Sequence, residues 1–259
     1  MKIGLKLYPQ NLDLVEKYND LFDFFEVLIE PDFDVNNLKH YDKEITIHAA
    51  HGTFGLDLAD SKKEELNKEI LEKARKSADI VDSKFIIVHP GHKKNENSER
   101  NMLNFLKNNF DKRFIFENCL ISEDRRSLFS TPEEMKKLLE QFNIGMCLDF
   151  EHAIISANFL KKDPLKFIKS FLELNVKCFH VSGVSMDTIK GMHNHLFEVD
   201  NNYEFLKWIP KNKYITFETR HHITKNKDFV LKDIEFLKQI IKWQIKYKVY
   251  GINYIKKND

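Results

Sequence analysis

Eight short β-rich runs, separated by stretches of helical character, most constrain the fold of this chain. Each run is five to eight residues long and rich in β-branched, aromatic or other apolar residues, which is typical of buried strands. Strands that alternate with helices indicate βαβ units in a parallel sheet, and eight such units predict a closed (β/α)8 barrel. The predicted strands are 2–8, 22–29, 44–49, 84–89, 113–117, 144–149, 176–181 and 213–218.

A doubly wound open sheet is the alternative arrangement of such units. That fold usually begins with a glycine-rich turn, which is absent here in a chain with only 8 glycines. The length of 259 residues is normal for one α/β barrel. We therefore expect a single (β/α)8 TIM-barrel domain over residues 1–259, with its active site at the C-terminal ends of the strands.

The stretches between the runs carry helix signals. Apolar residues repeat at helical spacing over 61–82 and again over 228–246. Thr131 and Glu134 are spaced as the N-cap and third residue of a capping box, with a proline at the first helical position. Asp163, also followed by proline, predicts the start of another helix.

The composition is that of a soluble globular protein. Hydrophobic residues make up 42% and charged residues 31%, and the formal net charge is +1, so no overall field favours nucleic acid. No apolar run approaches the roughly 20 residues needed to span a bilayer, and the N-terminus lacks a signal-peptide pattern. Three widely spaced cysteines fit free thiols in a reducing compartment. We expect a cytoplasmic protein without a membrane partner.

Six consecutive predicted strands end in a residue type that binds metal ions. In a barrel all these ends lie on one face. One such residue is ordinarily a hydrogen-bonded structural group, but six around one mouth would be costly unless a cation binds them. The six residues are His48, His89, Glu117, Asp149, His180 and Glu218. The sequence therefore predicts a metal site at this mouth.

Side chains two positions before these residues should face the barrel interior beneath the site, because strand side chains alternate between two faces. The residues at these positions are Thr46, Ile87, Ile115, Cys147, Cys178 and Thr216. All are small or apolar, as a packed interior requires. We therefore assign Cys147 and Cys178 to packing in preference to metal ligation, whereas the role of Cys119 stays open.

Three further histidines extend the candidate ligand set. His152 follows Asp149 by three residues, and His193 and His195 lie within "KGMHNHLFEV" at 190–199. Nine candidates are too many for one ion, so two or three divalent ions with a bridging carboxylate are expected. Mixed histidine and carboxylate ligation favours zinc, with manganese or iron as alternatives, whereas magnesium and calcium prefer all-oxygen sites.

These motifs together resemble endonuclease IV, within the xylose isomerase-like TIM barrels, over most of residues 44–220. The spacing of His193 and His195 from His180, by 13 and 15 residues, is the most specific part. The other segments that carry the resemblance are "VHPGH" (88–92), "FENC" (116–119), "IGMCLDFEHAIISANFL" (144–160) and "FETR" (217–220).

The resemblance implies three metal ions and a role for each candidate ligand. His48 and His89 would bind the first ion, with Glu117 bridging to the second. Asp149, His180 and Glu218 would complete the second site, and His152, His193 and His195 would form the third. In the family these ions activate the attack on the phosphodiester 5′ of an abasic site in DNA. Glu117 and Glu218 are the implied catalytic proton acceptors.

The chain also departs from the family pattern. His193 stands where the family has aspartate, which would leave a third ion more positive. The N-terminal strand lacks the His-Val-Ser…Gly-Gly segment, "HAAHGTF" (48–54) lacks the Pro-Tyr pair, and the glycine-rich segment after His195 is missing. The metal ligands are thus retained while the DNA-binding loops differ. The expected substrate is a phosphodiester, either in abasic-site DNA or in a smaller molecule.

Two other functions remain open from the sequence. A sugar isomerase or epimerase would use one ion and two glutamates that move protons next to a carbonyl, with His152 touching substrate. Its ligand quartet would be Glu117, Asp149, His180 and Glu218. This alternative ranks second because it gives the other histidines no required role. The third possibility is a metal-binding barrel without chemistry.

A few residues have no assigned role. His51, His92 and Arg220 are either polar loop residues or contacts to a substrate phosphate. The basic, aromatic segment 242–257 is interpreted as a solvated helix face followed by a strap on the barrel. The sequence leaves the oligomeric state open.

Overall fold

A computed structural model describes residues 1–123, 126–201, 203–219 and 226–250, with the backbone alone over 241–250. Eight parallel strands form a closed barrel in which each strand pairs with the next and the last pairs with the first. The strands are β1 (Lys2–Leu7), β2 (Phe24–Ile29), β3 (Glu44–Ala49), β4 (Ile86–Val88), β5 (Phe114–Glu117), β6 (Gly145–Asp149), β7 (Val176–Val181) and β8 (Tyr214–Phe217).

Helical segments connect these strands. The α-helices are α1 (Asp13–Lys17), α2 (Glu64–Ile80), α3 (Ser98–Asn109), α4 (Pro132–Phe142), α5 (Phe150–Phe159), α6 (Pro164–Leu172) and α7 (Lys227–Tyr250). Between β2 and β3 the connection is a 3₁₀ turn (Val35–His40), and the described residues between β7 and β8 contain two such turns. Over the described residues, no helix has the length and apolar character to cross a membrane.

The structure confirms the predicted barrel and all eight predicted strands. The predicted and observed strands differ by at most two residues at either end, where the chain leaves the hydrogen-bonded ladder. β4 ends at Val88 and β8 at Phe217, so His89 and Glu218 lie one residue beyond their strands. Both positions still lie at the C-terminal rim, where loops can turn a side chain toward the barrel axis.

A small apolar cluster fills the barrel interior, separate from the main core. Its members are Phe85, Ile87, Ile115, Cys147 and Cys178. Thr46 and Thr216 are also fully buried. The predicted interior layer is therefore present. Its apolar side chains exclude water beneath the polar rim, so polar groups above it depend on one another or on a bound ligand for partners.

The main core lies between the outward faces of the strands and the helices, and phenylalanines supply much of it. Phe150 at the start of α5 stacks on Phe179 of β7, with ring centroids 5.6 Å apart, and also contacts Phe205. Aromatic pairs of this kind add to the hydrophobic stabilisation from burial. They fix α5 against β7, which are the two elements that carry His152 and His180.

The predicted helix starts are also confirmed. The Thr131 hydroxyl accepts a hydrogen bond from the backbone of Glu134, whose carboxylate accepts one from the backbone of Thr131, forming the full capping box. The Asp163 side chain caps α6 in the same way, by accepting from Lys166. The long helix predicted over 61–82 begins with a 3₁₀ turn and continues as α2.

Replacing Thr131 by alanine should lower the free energy of unfolding by about 1 kcal/mol, because the backbone N–H of Glu134 would lose its acceptor, the Thr131 hydroxyl. Chemical denaturation measures this change. Ser170→Ala is the control, since that exposed hydroxyl bonds only to a carbonyl within its own helix, and its effect should stay within about 0.5 kcal/mol. Equal effects of the two changes would contradict the capping role.

Candidate metal centre

The C-terminal rim of the barrel carries all six strand-end residues predicted as ligands. Their side chains point toward the barrel axis and are buried or half-buried. Four lie within strands and two directly follow one: His48 (β3), Glu117 (β5), Asp149 (β6), His180 (β7), His89 (after β4) and Glu218 (after β8). Adjacent strands therefore deliver the six side chains to one small volume.

Glu117 belongs to two overlapping groups of candidate ligands. Within each group all the ligand atoms lie within 4.8 Å of one another. The first group is His48, His89 and Glu117. The second group is Glu117, Asp149, His180 and Glu218. A carboxylate shared between two such groups is the arrangement expected of a bridge between two ions. Cys147 also lies within 4.8 Å of Glu117 and His180, but it packs in the apolar interior cluster.

The backbone carbonyl of the next residue, Ala49, sets the tautomer of His48. Its Nδ1 lies 2.7 Å from the carbonyl oxygen of Ala49, which can only accept, so Nδ1 carries the proton. Burial, aided by the charge of Lys6, lowers the pKa of His48 and keeps the ring neutral. The bare Nε2 then faces Glu117 Oε2 at 3.2 Å. Two electron pairs facing each other at this distance repel unless a proton or a metal ion lies between them, so His48 fits metal ligation.

Glu26 of β2 orients His180. Its Oε2 accepts hydrogen bonds from His180 Nε2, at 3.0 Å, and from the Thr216 hydroxyl, at 2.9 Å. His180 therefore directs Nδ1 toward Glu117 Oε2, 3.4 Å away, and Glu218 Oε2, 2.6 Å away. A carboxylate that holds the second nitrogen of a histidine in this way is a common feature of metal sites, because it fixes the ring and raises its basicity.

Several buried polar atoms at the rim lack a hydrogen-bond partner among the described residues, and three of them belong to the second ligand group. These three are Glu117 Oε1, His180 Nδ1 and Glu218 Oε2. Although His180 Nδ1 and Glu218 Oε2 are close, their geometry is not that of a hydrogen bond. Buried polar atoms are normally satisfied, and leaving them unpaired is costly. Because all three converge on the second ligand group, the residues present fit a divalent cation there.

The electrostatics of the rim also favour a cation. Burial raises the pKa of Asp149 to about 6, with Glu117 adding to the effect. Burial lowers the pKa of His152, but Asp149 and Glu117 outweigh it and raise that pKa to about 10. Burial likewise lowers the pKa of His180, yet Cys147 and the carboxylates raise it well above its ordinary value. The cluster thus attracts positive charge, whether as protons or as metal ions.

The structure does not bring His152, His193 and His195 into one ligand group. Among the described residues, no set of three potential ligands within 4.8 Å contains any of them. The rings of His152 and His193 are 6.1 Å apart, and Nδ1 of His152 lies 3.0 Å from the carbonyl oxygen of Asn118. A third metal site formed by these residues remains a prediction.

His195 lies on the far side of its loop and contacts α7. Its Nδ1 is 2.6 Å from Asp233 Oδ2, and its ring stacks on Phe197 and packs against Phe229. Asp233 also accepts a hydrogen bond from the backbone of Leu196. This pairing fixes the loop after β7 to the first turns of α7, so His195 has a structural contact that the sequence did not reveal.

Glu151 holds the part of the same loop that carries His193. Its buried carboxylate accepts hydrogen bonds from the backbone of Met192 and His193 and from the Ser182 hydroxyl. His193 adopts a left-handed backbone, with φ of 45°. Gly183 permits the tight return of this loop, because a Cβ there would lie 2.1 Å from the carbonyl oxygen of His195. These contacts place the ring of His193 at the rim.

A cavity of about 320 Å³ opens above the two ligand groups. Its wall contains His89, His152, His193 and Glu218 from the predicted set. It also contains Lys6, Tyr8, His51, His92 and Cys119. His51 and His92 thus lie where they can contact a bound molecule, and Cys119 joins the wall, whereas Arg220 falls outside the described residues. Lys6 and five histidines bring side-chain nitrogens to this wall, so it can donate hydrogen bonds to an electron-rich ligand.

Lys6 and Glu26 contact the candidate ligands, and the strand-end pattern missed both of them. They face each other in the β1–β2 register, and both point into the barrel. Lys6 Nζ lies 2.7 Å from Glu218 Oε1 and 4.0 Å from Glu26 Oε1. A sequence signal exists for each, because Glu26 is the one charged residue of β2 and Lys6 is the one charged residue in the buried part of β1.

Comparison with known proteins agrees with this architecture. A family model described as a xylose isomerase-like TIM barrel matches residues 22–240. An uncharacterised protein of Methanocaldococcus jannaschii, MJ1311, is 25% identical over 274 aligned positions, which cover 93% of this chain and 89% of that protein. The match therefore extends over nearly the whole barrel.

Solved structures of two different activities share the fold. A D-tagatose 3-epimerase-like protein superposes with a TM-score of 0.72 at 21% identity, covering 95% of this chain and 99% of that one. Endonuclease IV from Thermus thermophilus has a TM-score of 0.68 at 16% identity, covering 95% of this chain and 99% of that one. Identities this low show a common fold and leave the reaction open.

Proposed function

The chain belongs to the xylose isomerase-like TIM-barrel family, and from this premise we propose that it is a metal-dependent hydrolase of phosphodiesters. The observation that carries the proposal is the position of Glu117 in both ligand groups. It supports two ions held side by side, with His48 and His89 on one and Asp149, His180 and Glu218 on the other. Zinc is the favoured metal for this mixture of nitrogen and oxygen ligands.

The formal charge of the site supports two ions and an anionic substrate. Glu26 and the three carboxylates of the two ligand groups carry four negative charges, and Lys6 offsets one of them, which leaves three negative charges when the metal-binding histidines are neutral. Two divalent ions would turn this into one positive charge, whereas one ion would leave one negative charge. The carboxylates are Glu26, Glu117, Asp149 and Glu218, and the ammonium is Lys6. A positive site favours a phosphodiester over a neutral sugar.

Bound divalent ions would lower the pKa of an attacking water and neutralise phosphoryl charge. The chain's own groups hold and orient this arrangement. Glu117 would bridge, His180 would offer Nδ1 because Glu26 holds Nε2, and His48 would offer Nε2 because Ala49 holds Nδ1. Glu117 Oε1 lies 3.1 Å from His152 Nδ1 and Glu218 Oε2 lies 2.6 Å from His180 Nδ1, but neither contact has the geometry of a hydrogen bond, so these two oxygens are the atoms placed to take a proton from water.

The cavity limits the size of the reacting group. Ligand pockets of small molecules enclose roughly 300–1,000 Å³, and this cavity of about 320 Å³ lies at the lower end. It can hold one small phosphodiester or a single abasic deoxyribose phosphate of a DNA strand. The changed loops around it favour the smaller substrate, while abasic-site DNA remains the alternative within the same reaction class.

Metal analysis combined with two hydrolysis assays tests the proposed function. We expect two ions per purified chain and hydrolysis of a chromogenic phosphodiester, and abasic-site DNA incision decides between the two substrates. The corresponding phosphomonoester serves as the control for phosphodiester specificity. A chain that binds one ion and shows hydrolysis in neither assay would contradict the proposal.

A single-metal sugar epimerase is the second candidate. The complete quartet of Glu117, Asp149, His180 and Glu218 supports it, as does the structural likeness to a D-tagatose 3-epimerase-like protein. In this function two glutamates would move a proton at the carbon beside a carbonyl. Incorporation of deuterium from solvent into a ketose at that carbon, by a chain holding one ion, would favour this function over hydrolysis.

Removal of metal should destabilise the protein, because the four rim carboxylates would lose their neutralising ions. At a free metal concentration about 100 times the dissociation constant, each ion stabilises the fold by about 2.7 kcal/mol. Thermal unfolding with and without a chelator measures the effect, and re-addition of zinc should restore the midpoint. An unchanged midpoint after chelation, with metal loss verified, would contradict metal binding at this rim.

A further inference from the structure

Lys6 occupies an unusual place for a lysine. It lies on β1 and points into the barrel, and it is only 5% exposed. Its Nζ donates a hydrogen bond to Glu218 Oε1 at 2.7 Å, and Glu26 Oε1 is 4.0 Å away. Buried lysines are rare unless they are paired, because removing an ammonium from water is costly. The carboxylates of Glu218 and Glu26 therefore hold the ammonium of Lys6 in this buried position.

Lys6 also reaches the substrate space. It lines the cavity above the two ligand groups, beside His51, His89 and Glu218. Among the described residues of the cavity wall, Lys6 is the only lysine or arginine. An ammonium has three donors, and the hydrogen bond to Glu218 uses one of them. The others can serve an oxygen of a molecule in the cavity.

We propose that Lys6 is a substrate-binding residue that supplies the third cationic group of this centre, beside two metal ions, by contacting an anionic phosphate oxygen. The inference rests on the proposed phosphodiester function and goes beyond it, since it assigns anion selectivity to one residue.

The charge balance gives the physical reason. Without Lys6, two divalent ions would balance the carboxylates of Glu26 and the two ligand groups and leave a neutral site. With Lys6 the site is positive, and the charge lies on a side chain that Glu218 holds in place before substrate arrives. Preorganised charge in a water-poor site contributes more to the binding of an anion than the same charge in water.

Phosphate binding by the zinc-loaded protein tests this role. Isothermal titration with inorganic phosphate should show binding to the wild-type chain and at least a tenfold weaker affinity for Lys6→Met, with two ions retained in both. Lys2→Met is the matched control, because Lys2 lies on the same strand at the opposite end of the barrel and pairs with Glu44. Its phosphate affinity should equal that of the wild type.

The outcomes separate this inference from the proposed function. A wild-type chain that holds two ions and binds phosphate, with equal affinity in Lys6→Met, would overturn the role of Lys6 alone. A wild-type chain that binds no phosphate would overturn both. If Lys6→Met fails to fold or to bind metal, a crystal of the wild-type holoenzyme soaked with phosphate decides. Lys6 Nζ within about 3.2 Å of a phosphate oxygen supports the role, and a longer separation refutes it.

Discussion

Replacing Glu117 by glutamine is expected to remove both metal ions and with them the hydrolytic activity. Glu117 is the one residue common to the two ligand groups, so its carboxylate contributes to each. A glutamine keeps the size of the side chain but carries no charge and has one oxygen in place of two. Changing a residue that merely supports a ligand typically costs 10–100-fold in metal affinity or activity, and the loss of a shared ligand should exceed this range.

The effect of Glu117→Gln is measured first as metal content after dialysis against a fixed concentration of zinc, and then in the phosphodiester assay. Glu44→Gln is the matched control, because Glu44 is also a strand carboxylate but lies at the opposite end of the barrel and pairs with Lys2 and Lys84. The control should keep both ions. A Glu117→Gln variant that folds and retains two ions at wild-type affinity would exclude a bridging role.

Changing Glu26 is expected to weaken the binding of one metal ion and to leave the binding of the other unchanged. Glu26 holds Nε2 of His180 and so directs Nδ1 toward the second ligand group. His48 and His89 of the first group do not depend on this hydrogen bond. Glu26→Leu removes the acceptor, which leaves the ring orientation unspecified and a buried N–H without a partner. We expect a loss of about 10–100-fold in affinity for the ion held by the second group.

Glu26→Gln provides the graded comparison for this test, because its amide oxygen still accepts from His180 and Thr216 while the charge is lost. Its effect should fall between those of the wild type and Glu26→Leu. A two-step zinc titration with a competing chelator resolves the two affinities. An equal loss at both steps in Glu26→Leu would indicate a general loss of the fold at the rim, and thermal unfolding would reveal it.

Much of the architecture follows from patterns that are local in the chain. The eight runs predict the barrel because strand spacing and helix signals repeat along the sequence. The six strand-end residues predict the rim because parallel strands must deliver their C-terminal ends to one face. The capping box at Thr131 needs only four consecutive residues, so its geometry follows from the sequence alone.

Other contacts join residues that no local pattern relates. Lys6 and Glu218 are 212 positions apart and meet only because β8 closes the barrel against β1. Glu26 and His180, 154 positions apart, face each other across the barrel interior. Lys6 and Glu26 stand out in the sequence as charged residues in buried strands. The partner of each, however, depends on the closure of the barrel and on the register of its strands.

The loop after β7 shows the difference most clearly. His193 and His195 in this loop lie 13 and 15 residues after His180, and this closeness in the sequence suggests a common site. In the fold, Glu151 fixes the backbone of His193 at the rim, whereas Asp233 holds His195 against α7. Spacing limits how far a loop can reach, but the direction of each side chain depends on which buried carboxylate receives it.

The sequence by itself therefore determined the barrel, the face that carries the site and the six residues at its rim. These depend on periodicity and strand order, which are properties of the chain read in one dimension. Only the tertiary structure decided that Glu117 joins two ligand groups, that Glu26 orients His180, and that Lys6 reaches the cavity. Those relations depend on distances between side chains from different strands, which are fixed only when the barrel closes.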